Sequence, residues 1–317
     1  MTAVLETASA WLPARMGQVE GRLQRLASSH GSELGSEAEA TLEAGGKRLR
    51  PLLVLICAGP EGSEPALAAA VAVELIHMAT LVHDDVLDGA PVRRGQPTVV
   101  ARAGRRRAVE VGDLLFSRAL AELSRAGGER QVAELSSASV ALAMGELAQR
   151  RDAYDLGVTE ERYLQRCSLK TARLFAAACR MGRIASGRPG VGVLAAFGSG
   201  IGLAFQLLDD VLDVAGPAQR TGKPRGTDLL DGTVTLPLIL AVERDPELAE
   251  VELRELDSAG AEEVCDRIDA TGVLDGVRAR AREMIERAKS SLQSEDFSDP
   301  ERELLGLVAD GVVERYA

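Results

Sequence analysis

ELIHMATLVHDDVLD, residues 74–88, and GIGLAFQLLDDVLD, residues 200–213, are the two stretches on which the reading of this 317-residue chain turns. Each ends in the same pentapeptide, with carboxylates at i, i+1 and i+4: Asp84, Asp85 and Asp88, then Asp209, Asp210 and Asp213. Neither approach alternates like a strand. Both are mainly apolar and of helical length, so each motif lies at the inner end of a core helix. Positions i and i+4 fall one turn apart on the same side of such a helix. Like charges at that spacing cost about 0.2–0.5 kcal/mol per pair. Solvated helix caps would not need apolar approaches, and a chain that accepts this cost twice has a cation to hold. All-carboxylate sets suit hard cations, and Mg²⁺ in particular takes one or two carboxylates with waters and substrate phosphates. The duplicated motif therefore reads as two walls of a Mg²⁺–diphosphate site.

Outward from these walls the pattern stays helical. Helices are predicted over 3–28, 34–43, 48–58, 65–87, 108–126, 129–150, 159–186, 191–214, 233–243, 247–257, 261–270, 273–293 and 300–316, with breaks where Gly and Pro collect. The two motifs lie 125 residues apart (209 minus 84), too far for a solenoid repeat. No shift of composition marks a linker, so the expectation is one all-α domain over 1–317, a helical bundle around a central cavity. Hydrophobic residues are 46% of the chain and aromatics only 3%, which calls for a core of Ala, Leu and Val in closely packed helices. The net charge of −11 argues against nucleic acid as a partner. Arg105-Arg106-Arg107 reads as a solvated loop or helix start. Cys57, Cys167, Cys179 and Cys265 are widely spaced, with no CxxC pair, and read as small core residues rather than zinc ligands or disulfides. No signal-peptide pattern opens the chain, and no stretch is read as approaching a membrane span, so a soluble, cytoplasmic protein without a transmembrane segment is expected.

Cations gather at loops and helix starts around the acidic motifs. Gly46-Lys47-Arg48-Leu49-Arg50-Pro51 sets three beside a glycine pair, Arg93-Arg94-Gly95 follows the first motif, Lys170-Thr171 lies within a helical stretch, and Lys223 sits in TGKPRGTDLLDG. Diphosphates carry several negative charges that metals and Arg forks neutralise together, and separate cationic groups point to more than one diphosphate.

GGKRLRP, HDDVLD with RRG five residues later, KTARLF, FQLLDDVLD and GKPRGTDL stand in this order and spacing between about residues 40 and 240. In this the chain resembles the trans-isoprenyl (polyprenyl) diphosphate synthases. The resemblance implies the isoprenoid-synthase helical fold, a homodimer and a head-to-tail condensation. An allylic diphosphate ionises, isopentenyl diphosphate attacks the cation, and a proton is lost. It implies Mg²⁺ held by Asp84, Asp88 and Asp209, with Asp85, Asp210 and Asp213 alongside. Arg93, Lys170, Thr171, Gln206 and Lys223 match the allylic diphosphate contacts, and Lys47, Arg50, His77 and Arg94 the isopentenyl diphosphate contacts. His83 is expected to support the first motif by hydrogen bonding. Many relatives read GKxTLP after the second motif, whereas Thr233 replaces that lysine here. With that departure the chain looks closer to long-chain members.

Relatives that stop early place bulky aromatics four or five residues before the first motif. Here those positions are Ala79 and Thr80, which leaves an elongation tunnel open past Ile76 and Val73, with Leu75 beside them and Phe116 and Leu120 as a floor. The alternatives are a short-chain farnesyl or geranylgeranyl synthase, a class I terpene cyclase, which would need no isopentenyl diphosphate site, and a non-catalytic subunit of a heteromeric synthase, which would have lost an acidic motif.

Overall fold

In a computed structural model the chain is described over residues 2–28, 31–43, 45–93, 95–126, 128–216, 225–294 and 296–314. Helices follow one another throughout: α1 (Thr2–Thr7), α2 (Leu12–Ser28), α3 (Gly31–Glu43), α4 (Leu49–Ala58), α5 (Glu64–Asp88), α6 (Val99–Arg125), α7 (Glu129–Arg151), α8 (Glu160–Cys167), α9 (Arg173–Ser186), α10 (Val191–Ala215), α11 (Thr227–Leu230), α12 (Leu236–Arg244), α13 (Ser258–Ala270), α14 (Val273–Ser291) and α15 (Asp299–Glu314). Among the described residues the only strands are β1 (Val92–Arg93) and β2 (Gln96–Pro97), a two-rung antiparallel hairpin between α5 and α6. The all-α expectation holds.

The chain parts into two compact units, residues 1–139, 174–197 and 292–308 in the first and 140–173, 198–291 and 309–317 in the second. In the first unit α5 packs along α6 and against α4, while α2 and α3 close on the same group. Its core is aliphatic, with Leu52 to Ala58 and Ala68 to Ile76 nearly all without exposed surface. In the second unit α12 packs against α8, α13 and α14, around Leu236, Leu238, Ile268, Val277 and Ile285.

Local chemistry explains where the two longest helices of the first unit begin. Ser63 caps α5 by accepting from Ala66 N at 3.2 Å, with Pro65 in the first turn, and Gly89 ends it in the left-handed region. Thr98 caps α6 through Ala101 N. Four boundaries depart from expectation. The 3–28 stretch is split by a turn at residues 8–11, and α2 restarts with Pro13 in its first turn. Helix α6 begins nine residues before the predicted 108, and Gly104 (φ 82) kinks it just ahead of Arg105-Arg106-Arg107, which open its longer arm. Helix α12 begins at Leu236 rather than at 233. The predicted helix over 247–257 is instead two 3₁₀ turns, Pro246–Glu250 and Leu253–Glu255, that bury Leu248 and Leu253, a five-residue spacing no α-helix face provides.

One expectation is corrected. Glu64–Asp88 and Val191–Ala215 are both long and apolar enough, by length and composition, to cross a membrane. The apolar window of the first is 72% buried inside the protein, as for a core helix, and that of the second 44%. All four cysteines are buried and free.

Candidate active site

Helix α5 delivers the first acidic motif. Asp84 is half-buried and Asp88 exposed, while Asp85, one step of about 100° round the helix, is only 4% exposed. Asp85 Oδ1 accepts from Arg93 Nε at 2.7 Å. The hairpin that carries Arg93 is closed by Thr98, whose hydroxyl donates to Ala90 O at 2.6 Å. Thus Arg93, expected as a substrate contact, is positioned by the middle aspartate. His83 Nε2 lies 3.4 Å from Asp113 Oδ1 but makes no hydrogen bond among the described residues, so the hydrogen bonding expected of it toward the first motif is not seen there; its ring packs over Gly112 of α6. Arg94 lies outside the described residues.

The second motif, at the end of α10, repeats the arrangement with different partners. Asp209 is exposed, and Asp213 is half-buried with Oδ2 accepting from Asp228 N at 3.1 Å. Asp210 is 2% exposed. Its Oδ2 accepts from Tyr163 Oη at 2.6 Å and its Oδ1 from Gln206 Nε2 at 2.8 Å. Gln206 Oε1 in turn accepts from Thr171 Oγ1 at 2.7 Å. Burial first, and then the charge of Asp228, push the Asp210 carboxyl well above the ordinary range. Burial likewise raises Tyr163, and raises Cys167 from 9.0 to about 12, with the Asp210 charge adding to both.

Lys170 and Thr171 sit in a π turn, Ser168–Ala172, that interrupts the run from α8 into α9. Such turns widen one helical turn and are frequent at functional sites. Gly145 on α7 permits it: a Cβ there would lie 2.7 Å from Lys170 N and 3.0 Å from its Cα. Lys170 Nζ donates to Glu146 Oε2 at 2.5 Å, and Glu146 also holds Arg150 at 3.0 Å. Thr233, in the place of the relatives' lysine, accepts from Gln149 Nε2 at 3.4 Å, and its segment is pinned by buried Arg166, which donates to Val234 O at 2.6 Å. Lys223 lies outside the described residues.

In the first unit Lys47 is exposed, and the Arg50 guanidinium lies 4.5 Å over the Phe175 ring. His77 is half-buried on α5. Of the tunnel residues, Val73, Ile76 and Ala79 have no exposed surface, while Thr80, Phe116 and Leu120 are half-buried.

Among the described residues no three His, Cys, Asp or Glu side chains converge as a metal cluster. The donors nevertheless fit Mg²⁺, which needs one or two carboxylate oxygens and completes its shell with water and phosphate. Each motif sequesters its middle aspartate and leaves its first and last one turn apart.

Sequence reading missed Tyr163, Glu146, Gly145 and Asp228. Gly145 was the legible one, since a glycine inside a helix signals a close approach.

The polyprenyl synthetase family model matches residues 32–268. Heptaprenyl diphosphate synthase component 2 of Geobacillus stearothermophilus is 42% identical over 242 residues, 75% of this chain and 76% of that one. A short chain isoprenyl diphosphate synthase of Methanothermobacter thermautotrophicus is 36% identical over 88% of this chain and 89% of its own. The crystal structure of a decaprenyl diphosphate synthase from Rhodobacter capsulatus superposes with a TM-score of 0.90 at 34% identity, covering 99% of both chains.

Proposed function

The chain belongs to the polyprenyl synthetase family and is a trans-prenyltransferase, and we propose that it condenses an allylic diphosphate with isopentenyl diphosphate into a long-chain polyprenyl diphosphate. The observation that carries this reading is the repeated geometry of the two motifs: a middle aspartate locked by the protein, Asp85 on Arg93 and Asp210 on Tyr163 and Gln206, beside outer aspartates one turn apart. Asp84, Asp88 and Asp209 would hold Mg²⁺, with Asp213 alongside, and the metal when bound supplies neutralisation of charge on the departing diphosphate. Lys170, Thr171, Gln206, Arg93 and Lys223 bind and orient the allylic diphosphate. Lys170 must then exchange or share Glu146 for phosphate. Lys47, Arg50, His77 and Arg94 take the isopentenyl diphosphate. We read 1–317 as one synthase domain, a reading supported by the single family model that matches residues 32–268.

The long-chain assignment is supported by Ala79 and Thr80, which put no bulk in the helical turn before Asp84, and by relatives named for heptaprenyl and decaprenyl products. We also read the protein as a cytoplasmic homodimer. Val140, Met144 and Leu147 recur at i, i+4 and i+7 along α7 and are all exposed, an apolar stripe suited to a second copy. A second reading comes from the word component in a relative's name: the chain would act only with a different polypeptide on that stripe. The test is Mg²⁺-dependent incorporation of labelled isopentenyl diphosphate by the purified chain alone. Incorporation supports the self-sufficient synthase. Its appearance only after a second polypeptide is added supports the two-component reading, and its absence in both settings contradicts the proposal.

A further inference from the structure

We propose that Arg48 is a positioning residue, fastening the segment that carries Lys47, at the end of the loop, and Arg50, in the first turn of α4, to helix α5 and so setting the isopentenyl diphosphate site; this rests on the acceptor-site reading above. Arg48 has φ 49 and ψ 36, the left-handed region that side chains with a Cβ rarely enter and that clusters at functional sites. The conformation has an evident holder. Arg48 Nε donates to Glu20 Oε1 at 2.6 Å, Nη1 to Glu74 Oε1 at 2.8 Å and Nη2 to Leu42 O at 3.1 Å. One guanidinium therefore ties the ends or faces of α2, α3 and α5 to the loop. Its side chain is 9% exposed, so it is spent on the protein rather than offered to a diphosphate. Glu74, 3% exposed, is the one acidic residue between Glu64 and Asp84 on α5. It stands three residues before His77, on nearly the same face. The Arg48–Glu74 pair thus joins the two chain segments from which the acceptor contacts are drawn: Lys47 and Arg50 on one side, His77 on the other.

The left-handed backbone at Arg48 lies between Lys47 in the loop and Leu49, where α4 begins. Glycine would adopt the same φ without strain but without the fork. That separates the backbone's part from the side chain's.

The experiment measures KM for each substrate separately, with kcat and Tm, in Arg48→Gly, Arg48→Lys, Glu74→Gln and the control Lys47→Ala. A positioning role predicts that Arg48→Gly and Glu74→Gln raise the KM for isopentenyl diphosphate about tenfold, with the allylic KM within about twofold, and that Arg48→Lys falls between. A purely structural ion pair predicts a lower Tm with both KM values moving together or neither moving, which overturns the inference. Should Arg48→Gly not fold, the isosteric Glu74→Gln decides alone. If Lys47→Ala raises the isopentenyl diphosphate KM while Glu74→Gln and Arg48→Gly do not, the positioning role fails and the acceptor site stands. If Lys47→Ala leaves that KM unchanged, the acceptor-site reading fails and the inference with it.

Discussion

Asp85 and Asp210 hold the second place in their motifs, and in both the helix turns that place inward. A carboxylate in such surroundings needs donors, and each has them: Arg93 for Asp85, Tyr163 and Gln206 for Asp210. The 100° step from i to i+1 was legible in DDVLD, but the donors were not, because Tyr163 lies 47 residues from Asp210 in sequence (210 minus 163). The outer and middle aspartates should therefore fail differently. Asp84→Ala and Asp209→Ala should cut turnover by orders of magnitude while the Tm holds or rises slightly, since each removes like-charge repulsion of about 0.2–0.5 kcal/mol; near-normal turnover would remove the metal-site assignment. Tyr163→Phe should instead lower stability by about 1–3 kcal/mol, read from urea unfolding, because it strips a donor from a buried carboxylate. The thiol beside this network gives a pH prediction. Cys167 is raised from 9.0 to about 12 in the folded chain. Below pH 9 it is neutral in both states. Above that the unfolded chain loses the proton and the folded chain keeps it, so stability falls as pH rises from 9 towards 12. Cys167→Ala should flatten that decline in the urea midpoint, and an unchanged slope would show that the thiol is not held neutral.

Helix α9 with its π turn shows what an element contributes beyond its residues. Periodicity alone gave a continuous helix over 159–186, close to the observed span, but no pattern of apolar residues announces a widened turn at Ser168–Ala172. Its cause lies on α7, where Gly145 leaves room for the Lys170 backbone. Gly145→Ala should displace the π turn, destabilise by about 1–3 kcal/mol through overpacking, and raise the KM for the allylic substrate more than for isopentenyl diphosphate; equal KM values for mutant and wild type would detach the turn from substrate binding. Along α5 the structure also ranks the length-control positions. Ala79 is wholly buried, so Ala79→Phe risks overpacking, while half-buried Thr80 can carry a ring with less disturbance. Thr80→Phe should shorten products to about three or four units, because each isoprene unit spans about one 5.4 Å helical turn. Unchanged product length would mean that the tail does not follow α5.

For the molecule as a whole, the duplicated motif and apolar approaches were enough to name a helical fold and a diphosphate chemistry, because both follow from periodicity and donor type. What they could not supply was which protein groups hold each cation: Arg48 and Arg93 look alike in sequence, yet Arg48 is buried against Glu20 and Glu74, while Arg93 is held through Nε by Asp85 and keeps 23% of its side chain exposed. Mg²⁺ and an allylic diphosphate together should raise the Tm by more than the sum of their separate shifts, since each completes the other's coordination; simple additivity would place them at independent sites. The most direct test of the central claim is the stoichiometry of a single turnover. Purified protein is mixed with Mg²⁺, labelled allylic diphosphate and excess isopentenyl diphosphate, then quenched, and released diphosphate is counted against five-carbon extension. The condensation predicts one isoprene unit added for each diphosphate released, and neither event in Asp84→Ala. Release of diphosphate without extension, as a cyclase or a hydrolase would give, would contradict it.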